Sequence, residues 1–101
     1  MKLIERNIQR ILDLCRLHKV KSLAVFGSIL TDKFNDKSDI DLLVDFEPID
    51  HEKFDYVGNY FSFRNALSRL FDRDIDLIEE KGLRNKYLIA NINRTKQVIY
   101  G

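Results

Sequence analysis

Apolar residues near the start of the chain recur at helical spacing. Four of them stand three or four positions apart: Ile4, Ile8, Ile11 and Cys15. The charged residues between them fall mostly on the opposite side of a helix. This pattern predicts an amphipathic helix over residues 3–18, with its apolar stripe packed on the core.

Two segments with the patterns of β-strands follow. Residues 22–26 form a short apolar run that ends at Gly27, as in a buried strand. Residues 39–46 alternate strictly, so that apolar side chains share one face and three aspartates share the other. The residues between, 28–37, are polar and irregular, with room for one helical turn. The second strand is expected to end at residues 48–50, which contain a proline and an aspartate.

The second half of the chain predicts a helix over residues 52–71, a strand over 74–78, a last helix over 83–92 and a short closing segment over 97–100. The element order is αβ(turn)βαβα. We therefore expect a single α/β (or α+β) domain over residues 1–101, in which helices pack on a small mixed sheet.

Composition and charge narrow the functional classes. At 101 residues, the chain is expected to form one domain without a second, acceptor-binding domain. The net charge is only +1, whereas proteins that follow a nucleic-acid backbone usually carry a clear basic excess. The five cations of the C-terminal zone are interpreted as a solvated helix face and tail: Lys81, Arg84, Lys86, Arg94 and Lys96. Direct nucleic-acid binding is not expected.

The cysteine, the histidines and the hydropathy of the chain argue against a cysteine nucleophile, a zinc site and a membrane span. The one cysteine, Cys15, lies on the apolar stripe and is expected to fill the core rather than act as a nucleophile. Neither His18, at a helix end, nor His51, in a loop, has a second ligand at zinc-binding spacing. The first residues meet charge too soon for a signal peptide, and no run is long enough to cross a bilayer. The chain is expected to be cytoplasmic, with no membrane partner.

Two acidic strands carry the candidate chemistry. Asp39 and Asp41 lie on one strand face, where each carboxylate raises the pKa of the other unless a cation intervenes. Asp74 and Asp76 form a second such pair. Mg²⁺ prefers oxygen ligands of this kind, shared with substrate phosphates. The alternative, in which these aspartates lie on an ordinary solvent-exposed strand face, remains open, although aspartate is depleted in strands.

The turn at Gly27-Ser28 favours the magnesium interpretation. A glycine after a buried strand permits close approach of a ligand, and the following N–H groups and the serine hydroxyl suit phosphate oxygens. Alone, the pair would be a plain strand-end turn. Ten residues separate it from Asp39, however, so a short loop can bring phosphate cradle and carboxylates to one sheet edge. Attack at the α-phosphorus of a bound nucleoside triphosphate, with release of pyrophosphate, is the predicted reaction.

These motifs resemble a known family. The run Val25-Phe26-Gly27-Ser28, ten residues, then Asp39-Ile40-Asp41-Leu42-Leu43-Val44 is similar to the signature of the DNA polymerase β-like nucleotidyltransferase superfamily. Within it, the chain resembles the minimal nucleotidyltransferases (MNT type), and the later run Arg73-Asp74-Ile75-Asp76-Leu77-Ile78 extends the likeness. The resemblance implies a nucleotidyltransferase fold. It also implies an antitoxin that uses ATP and Mg²⁺ to place AMP on a tyrosine of a partner HEPN-domain toxin.

The resemblance also implies roles for individual residues. Gly27 and Ser28 match the family's nucleotide-binding turn. Asp39 and Asp41 match its catalytic metal ligands, and Asp76 matches its third acidic position. Asp74 competes with Asp76 for that third role. Many relatives carry arginines and a glycine after the turn, where this chain has Ile29-Leu30-Thr31-Asp32; Lys33 is a candidate to replace one of these cations.

Two alternative functions remain open, and several further residues are expected to be structural. The domain could neutralise a partner by steric coverage alone, or transfer a nucleotide to a small molecule. Asp36 and Asp45 are expected to be surface charges. Four aromatic residues are expected to be core with a half-exposed flank, with a partner surface as the alternative: Tyr56, Tyr60, Phe61 and Phe63.

Overall fold

The computed structural model describes residues 2–48 and 53–101, so the predicted strand end at Asp50, and His51, lie outside the described residues. The helices and strands are α1 (Lys2–Arg6), α2 (Ile8–Leu17), β1 (Val20–Phe26), β2 (Ile40–Phe46), α3 (Tyr56–Phe71), β3 (Ile75–Glu79), α4 (Lys86–Thr95) and β4 (Gln97–Tyr100). Short 3₁₀ turns cover Gly27–Leu30 and Glu80–Gly82.

Polar side chains explain where the helices differ from the predictions. The single predicted N-terminal helix is interrupted at Asn7, whose Nδ2 donates a hydrogen bond to the Leu3 carbonyl at 2.9 Å. Short amide side chains compete in this way with the backbone pattern of a helix. The last helix starts later than predicted because Asn85 caps it, accepting hydrogen bonds from the N–H groups of Tyr87 and Leu88.

The predicted small mixed sheet is confirmed, with four strands in the order β3-β2-β1-β4. β1 runs antiparallel to both β2 and β4, whereas β2 and β3 are parallel and are connected through α3. The closing segment is thus a strand, β4, which the predicted element order omits. Because β2 and β3 are in parallel register, Ile40 lies beside Ile75 and Asp41 beside Asp76.

The two faces of the sheet are covered unequally. The main core joins one face to α1, α2 and α3, and includes Cys15, Phe63 and Leu67 from the helices. On the other face, a small cluster consists of Ala24 from β1, Leu43 from β2 and Ile92 from α4, with a few partly buried neighbours. The acidic residues of β2 and β3 belong to this second, thinly covered face.

Cys15 and His18, which were not expected to take part in catalysis, have structural roles. Cys15 is fully buried, and burial raises the pKa of its thiol to about 12, so it is core rather than a nucleophile. His18 is also buried, with Nδ1 hydrogen-bonded to the Leu14 carbonyl at 2.9 Å and Nε2 to the Ser62 hydroxyl at 3.2 Å. In the described part of the chain, no helix combines the length and apolarity that a bilayer crossing requires.

The aromatic residues of α3 provide a test of this packing. Phe63 is fully buried, whereas Phe61, on the same helix, is 47% exposed. We expect Phe63→Ala to lower the free energy of unfolding by about 3–5 kcal/mol, because it removes a ring from a close-packed core. Phe61→Ala serves as the matched control and should cost less than about 1 kcal/mol in urea denaturation. Equal losses for the two variants would contradict the assigned core.

Candidate active site

Two carboxylates meet where β2 and β3 run side by side. The parallel register makes Asp41 the neighbour of Asp76, and the two carboxyl groups are close enough to interact electrostatically. Asp39, exposed just before β2 begins, is near enough for its charge to act on Asp41. The structure therefore pairs Asp41 with Asp76 and places Asp39 within electrostatic reach of Asp41, but among the described residues these three carboxylates do not form a group that could hold a metal ion by itself.

The electrostatics of Asp41 reflect this crowding. Burial raises the pKa of the Asp41 carboxyl above its ordinary value, and the charge of Asp76, the hydrogen bond to Asp76 and the charge of Asp39 raise it further. A cation placed between the carboxylates would relieve this repulsion.

This donor set fits Mg²⁺ held jointly with a nucleotide. In the described ranges, 2–48 and 53–101, no group of three or more aspartate, glutamate, histidine or cysteine side chains forms a complete metal cluster. Mg²⁺ commonly takes only one or two carboxylates and completes its coordination with water and substrate phosphates. The pair Asp41 and Asp76, with Asp39 beside them, supplies that number of protein ligands.

Gly27 lies directly against this carboxylate pair. Its φ is +79°, a left-handed conformation that side chains rarely adopt, and a Cβ built at Gly27 would overlap Oδ2 of Asp41. Both the backbone angle and the neighbouring carboxylate thus require a glycine. The turn that was predicted to hold phosphate and the acidic residues that were predicted to hold a metal are in contact.

Ser28 and Lys33 have different surroundings. The Ser28 carbonyl accepts hydrogen bonds from the Thr31 N–H at 2.9 Å and the Thr31 hydroxyl at 2.8 Å, which close the turn. The Ser28 hydroxyl has no hydrogen-bond partner among the described residues, so it is free to bind a phosphate. Lys33 is exposed, and its ammonium group makes no ion pair with any residue the structure describes.

The residues after Ser28 explain one departure from the family pattern. Ile29 is 7% exposed and packs in the main core, and Leu30 packs against the same core. Thr31 closes the turn through its hydroxyl, and Asp32 is exposed. This segment is therefore held by apolar packing and a hydroxyl hydrogen bond, and its side chains contribute no cation.

Two other aspartates are placed away from the pair. Asp74 is exposed, and its backbone carbonyl accepts the Ile40 N–H at 3.2 Å, which helps to align β3 with β2. The prediction that Asp45 is a surface charge is wrong. Only 14% of its side chain is exposed, because the chain after β3 folds back and brings Lys81 Nζ to 3.3 Å from its carboxylate.

Arg73 is a residue that the sequence did not single out. Its Nη1 donates hydrogen bonds to the carbonyls of Asn35 at 3.1 Å and Ser38 at 2.9 Å, and its guanidinium lies 4.6 Å from the centre of the Phe34 ring. Arg73 thereby ties the start of β3 to the loop that leads into Asp39. The sequence shows that Arg73 precedes Asp74. It does not show the carbonyl partners of Arg73, because they lie 38 and 35 residues earlier in the chain.

Comparisons with known proteins identify the family of this chain. A family model described as a nucleotidyltransferase domain matches residues 8–99. A protein of Methanocaldococcus jannaschii, provisionally named a protein adenylyltransferase, is 35% identical over 95 residues, which make up 86% of this chain and 92% of the relative. A solved structure, provisionally described as a minimal nucleotidyltransferase, has 26% identity and a TM-score of 0.76, covering 95% of this chain and 92% of its own.

A further solved structure shares the fold at lower identity. It contains a tri-AMPylated HEPN toxin of Shewanella oneidensis in complex with an MNT antitoxin. The match has 20% identity and a TM-score of 0.66, and covers 96% of this chain and 71% of the other.

The contact between the glycine turn and the carboxylates can be tested by adding one methyl group. We expect Gly27→Ala to cost at least about 1–2 kcal/mol of unfolding free energy, because it strains a left-handed residue. The methyl group must also displace Asp41. Gly82→Ala is the matched control, since a Cβ at Gly82 would meet nothing within 4 Å. Chemical denaturation of both variants measures the difference, and a neutral Gly27→Ala would refute the contact.

The repulsion around Asp41 predicts a stabilising substitution. Because folding raises the pKa of Asp41, its ionised form costs stability above that folded pKa, and this cost disappears at lower pH, where the carboxyl is protonated. Asp41→Asn should therefore raise the melting temperature at neutral pH in the presence of a chelator. The gain should shrink as the pH falls toward the ordinary aspartate pKa.

Added Mg²⁺ or Mn²⁺ separates this effect from general stabilisation. The cation should raise the melting temperature of the unmodified protein and have less effect on Asp41→Asn, which has lost a ligand charge. An equal response of the two proteins would argue against a cation site at Asp41.

Proposed function

Since this chain belongs to the nucleotidyltransferase domain family, we propose that it transfers AMP from ATP to a hydroxyl group of a partner protein. The observation that carries this proposal is the Asp41–Asp76 pair held against Gly27. Two carboxylates of the kind that binds Mg²⁺ thus lie beside a turn with a free serine hydroxyl. A triphosphate bound at that turn would reach the carboxylates.

The proposed reaction assigns a role to each site residue. Gly27 and Ser28 hold the triphosphate through backbone and hydroxyl contacts, while Asp39 and Asp41, with Asp76, would hold Mg²⁺. When bound, Mg²⁺ neutralises charge on the triphosphate and favours in-line displacement at phosphorus. The acceptor oxygen forms a bond to the α-phosphorus, the bond to the β-phosphate oxygen breaks, and pyrophosphate leaves. Asp76, the more exposed of the paired carboxylates, accepts the proton of the acceptor hydroxyl.

The proposed acceptor is a tyrosine of a HEPN-domain toxin, for which this chain would be the antitoxin. Support comes from the adenylyltransferase name given to the Methanocaldococcus relative and from the complex of an AMPylated HEPN toxin with an antitoxin of the same fold. The thinly covered sheet face also suits a large acceptor, because the carboxylates there are not enclosed by helices.

One observation favours a second candidate function. The turn after Ser28 contributes no cation to the triphosphate, and Lys33 makes no contact with the carboxylates in the described structure. A domain that binds its partner and neutralises it by coverage, with slow or no transfer, would be consistent with this weak phosphate cradle.

Transfer of label from ATP distinguishes the two functions. The purified chain is incubated with α-labelled ATP, Mg²⁺ and the HEPN-domain protein, and stable label on the partner is measured. We expect Asp41→Asn and Asp76→Asn each to lower the rate by about 100-fold or more, the scale of lost electrostatic transition-state stabilisation. Asp13→Asn, on the exposed side of α2, is the matched control and should retain full activity.

Suppression of the partner's activity is the second measurement. If Asp41→Asn suppresses HEPN ribonuclease activity as well as the unmodified chain does, coverage is sufficient for neutralisation; if the unmodified chain also leaves no label on the partner, the transfer proposal is wrong. If suppression disappears together with the label, coverage alone is excluded.

A further inference from the structure

Helix α4 is held to the rest of the protein by very little surface. Of its ten residues only Ile92 is buried, whereas Tyr87 is 89% exposed and Leu88 is 42% exposed. Isolated helices of this length are marginally stable in water, so most depend on packing of an apolar face. Leu88 precedes Ile92 by one helical turn, so the apolar stripe of α4 extends beyond its contact with the sheet.

A cleft continues this apolar surface toward the glycine turn. It has a volume of about 570 Å³ and lies between α4 and the Gly27–Leu30 turn. Phe26, Leu30 and Ile92 supply apolar walls, and the rim includes the side-chain amides of Asn91 and Gln97. Apolar concave surfaces with a polar rim are typical of binding sites.

Val98 extends the same surface onto the edge of the sheet. Val98 is 62% exposed, and it pairs in register with Ala24, so both side chains lie on the face that carries α4. Exposed apolar groups of α4 and β4 therefore adjoin the cleft beside the Gly27–Leu30 turn. We refer to Tyr87, Leu88, Val98 and this cleft together as the α4 surface.

The segment of the chain that carries α4 and β4 is basic. Residues 81–101 contain five lysines and arginines and no aspartate or glutamate. Lys81 is paired with Asp45, but Arg84, Lys86 and Lys96 form no ion pair with any described residue. A partner that matches this surface needs carboxylates around an apolar anchor, because like charges would repel.

The position of the α4 surface relative to the carboxylates indicates which partner it fits. Asp41 and Asp76 lie on the same sheet face as α4, and the opposite face is covered by α1, α2 and α3. An acceptor hydroxyl must approach from the face with the carboxylates. A protein that delivers it there comes next to α4.

We propose that the α4 surface is the docking site for the acceptor protein, whose contacting segment presents an apolar side chain flanked by carboxylates. This inference rests on the proposed function, because it takes the acceptor to be a protein. The apolar side chain enters the cleft beside Gly27, and the carboxylates face Arg84 and Lys86. Docking then places the acceptor hydroxyl near Asp76.

Affinity for the HEPN-domain protein tests the proposal. Binding is measured by biolayer interferometry with the intact chain, at low and high salt. The double variant Lys86→Glu/Leu88→Asp should bind at least about 30-fold more weakly, the loss expected on removing a central anchor and reversing a rim charge. The matched control Arg10→Glu/Leu17→Asp makes the same changes on α2, where Leu17 is 73% exposed, and should bind normally.

A further variant and a calorimetric measurement distinguish loss of the docking surface from misfolding of α4. Arg84→Glu/Lys86→Glu alters only exposed residues and should weaken binding, with a smaller salt dependence than that of the unmodified chain. Calorimetry with Mg²⁺ and ATP should give an unchanged nucleotide affinity for Arg84→Glu/Lys86→Glu, because neither residue lines the cleft that Gly27 shares with α4.

The outcomes separate docking from catalysis. Unchanged affinity of the α4 variants, equal losses in the α2 control, or no binding by the unmodified chain would overturn the docking proposal. Dissociation of a homodimer by Leu88→Asp would also overturn it, since the surface would then join two copies of this chain. Normal binding without transfer of label would leave docking in place and contradict the proposed function instead.

Discussion

The parallel pairing of β2 with β3 forces two like charges together, and the site depends on this constraint. The alternate residues of the two strands, among them Ile40, Leu42 and Ile75, are buried in the main core, so a shift in register would expose them. The apolar contacts therefore hold Asp41 beside Asp76 against their repulsion. A cation bound at the pair would relieve this repulsion, which would couple the fold to its proposed chemistry.

The other parts of the site are arranged around that pair. Gly27 is in contact with Asp41 because it has no side chain, and its left-handed backbone turns the chain out of β1 at that point. Arg73 holds the loop before Asp39 by its carbonyls. The Gly27-Ser28 turn, the loop and both acidic strands thus form one connected unit, in which a change at any member is expected to disturb the carboxylates.

The unequal covering of the sheet accounts for the remaining surface. Three helices bury one face, and the other has only α4, anchored mainly through Ile92. This arrangement leaves the carboxylates accessible to a large acceptor and leaves apolar and cationic groups of α4 beside them. A thin cover that would weaken a purely structural domain is therefore suited to a protein that completes its interface with a partner.

Periodicity in the sequence determined the element types, the two faces of β2 and the acidic face that carries Asp39 and Asp41, because these are local properties of spacing. Motif spacing also pointed to the contact between the glycine turn and the acidic strand. The pairing of Asp45 with Lys81 and the hydrogen bonds of Arg73 to the carbonyls of Asn35 and Ser38 were decided only by the tertiary structure. Each depends on a side chain whose competing partners become distinguishable only when the chain is folded.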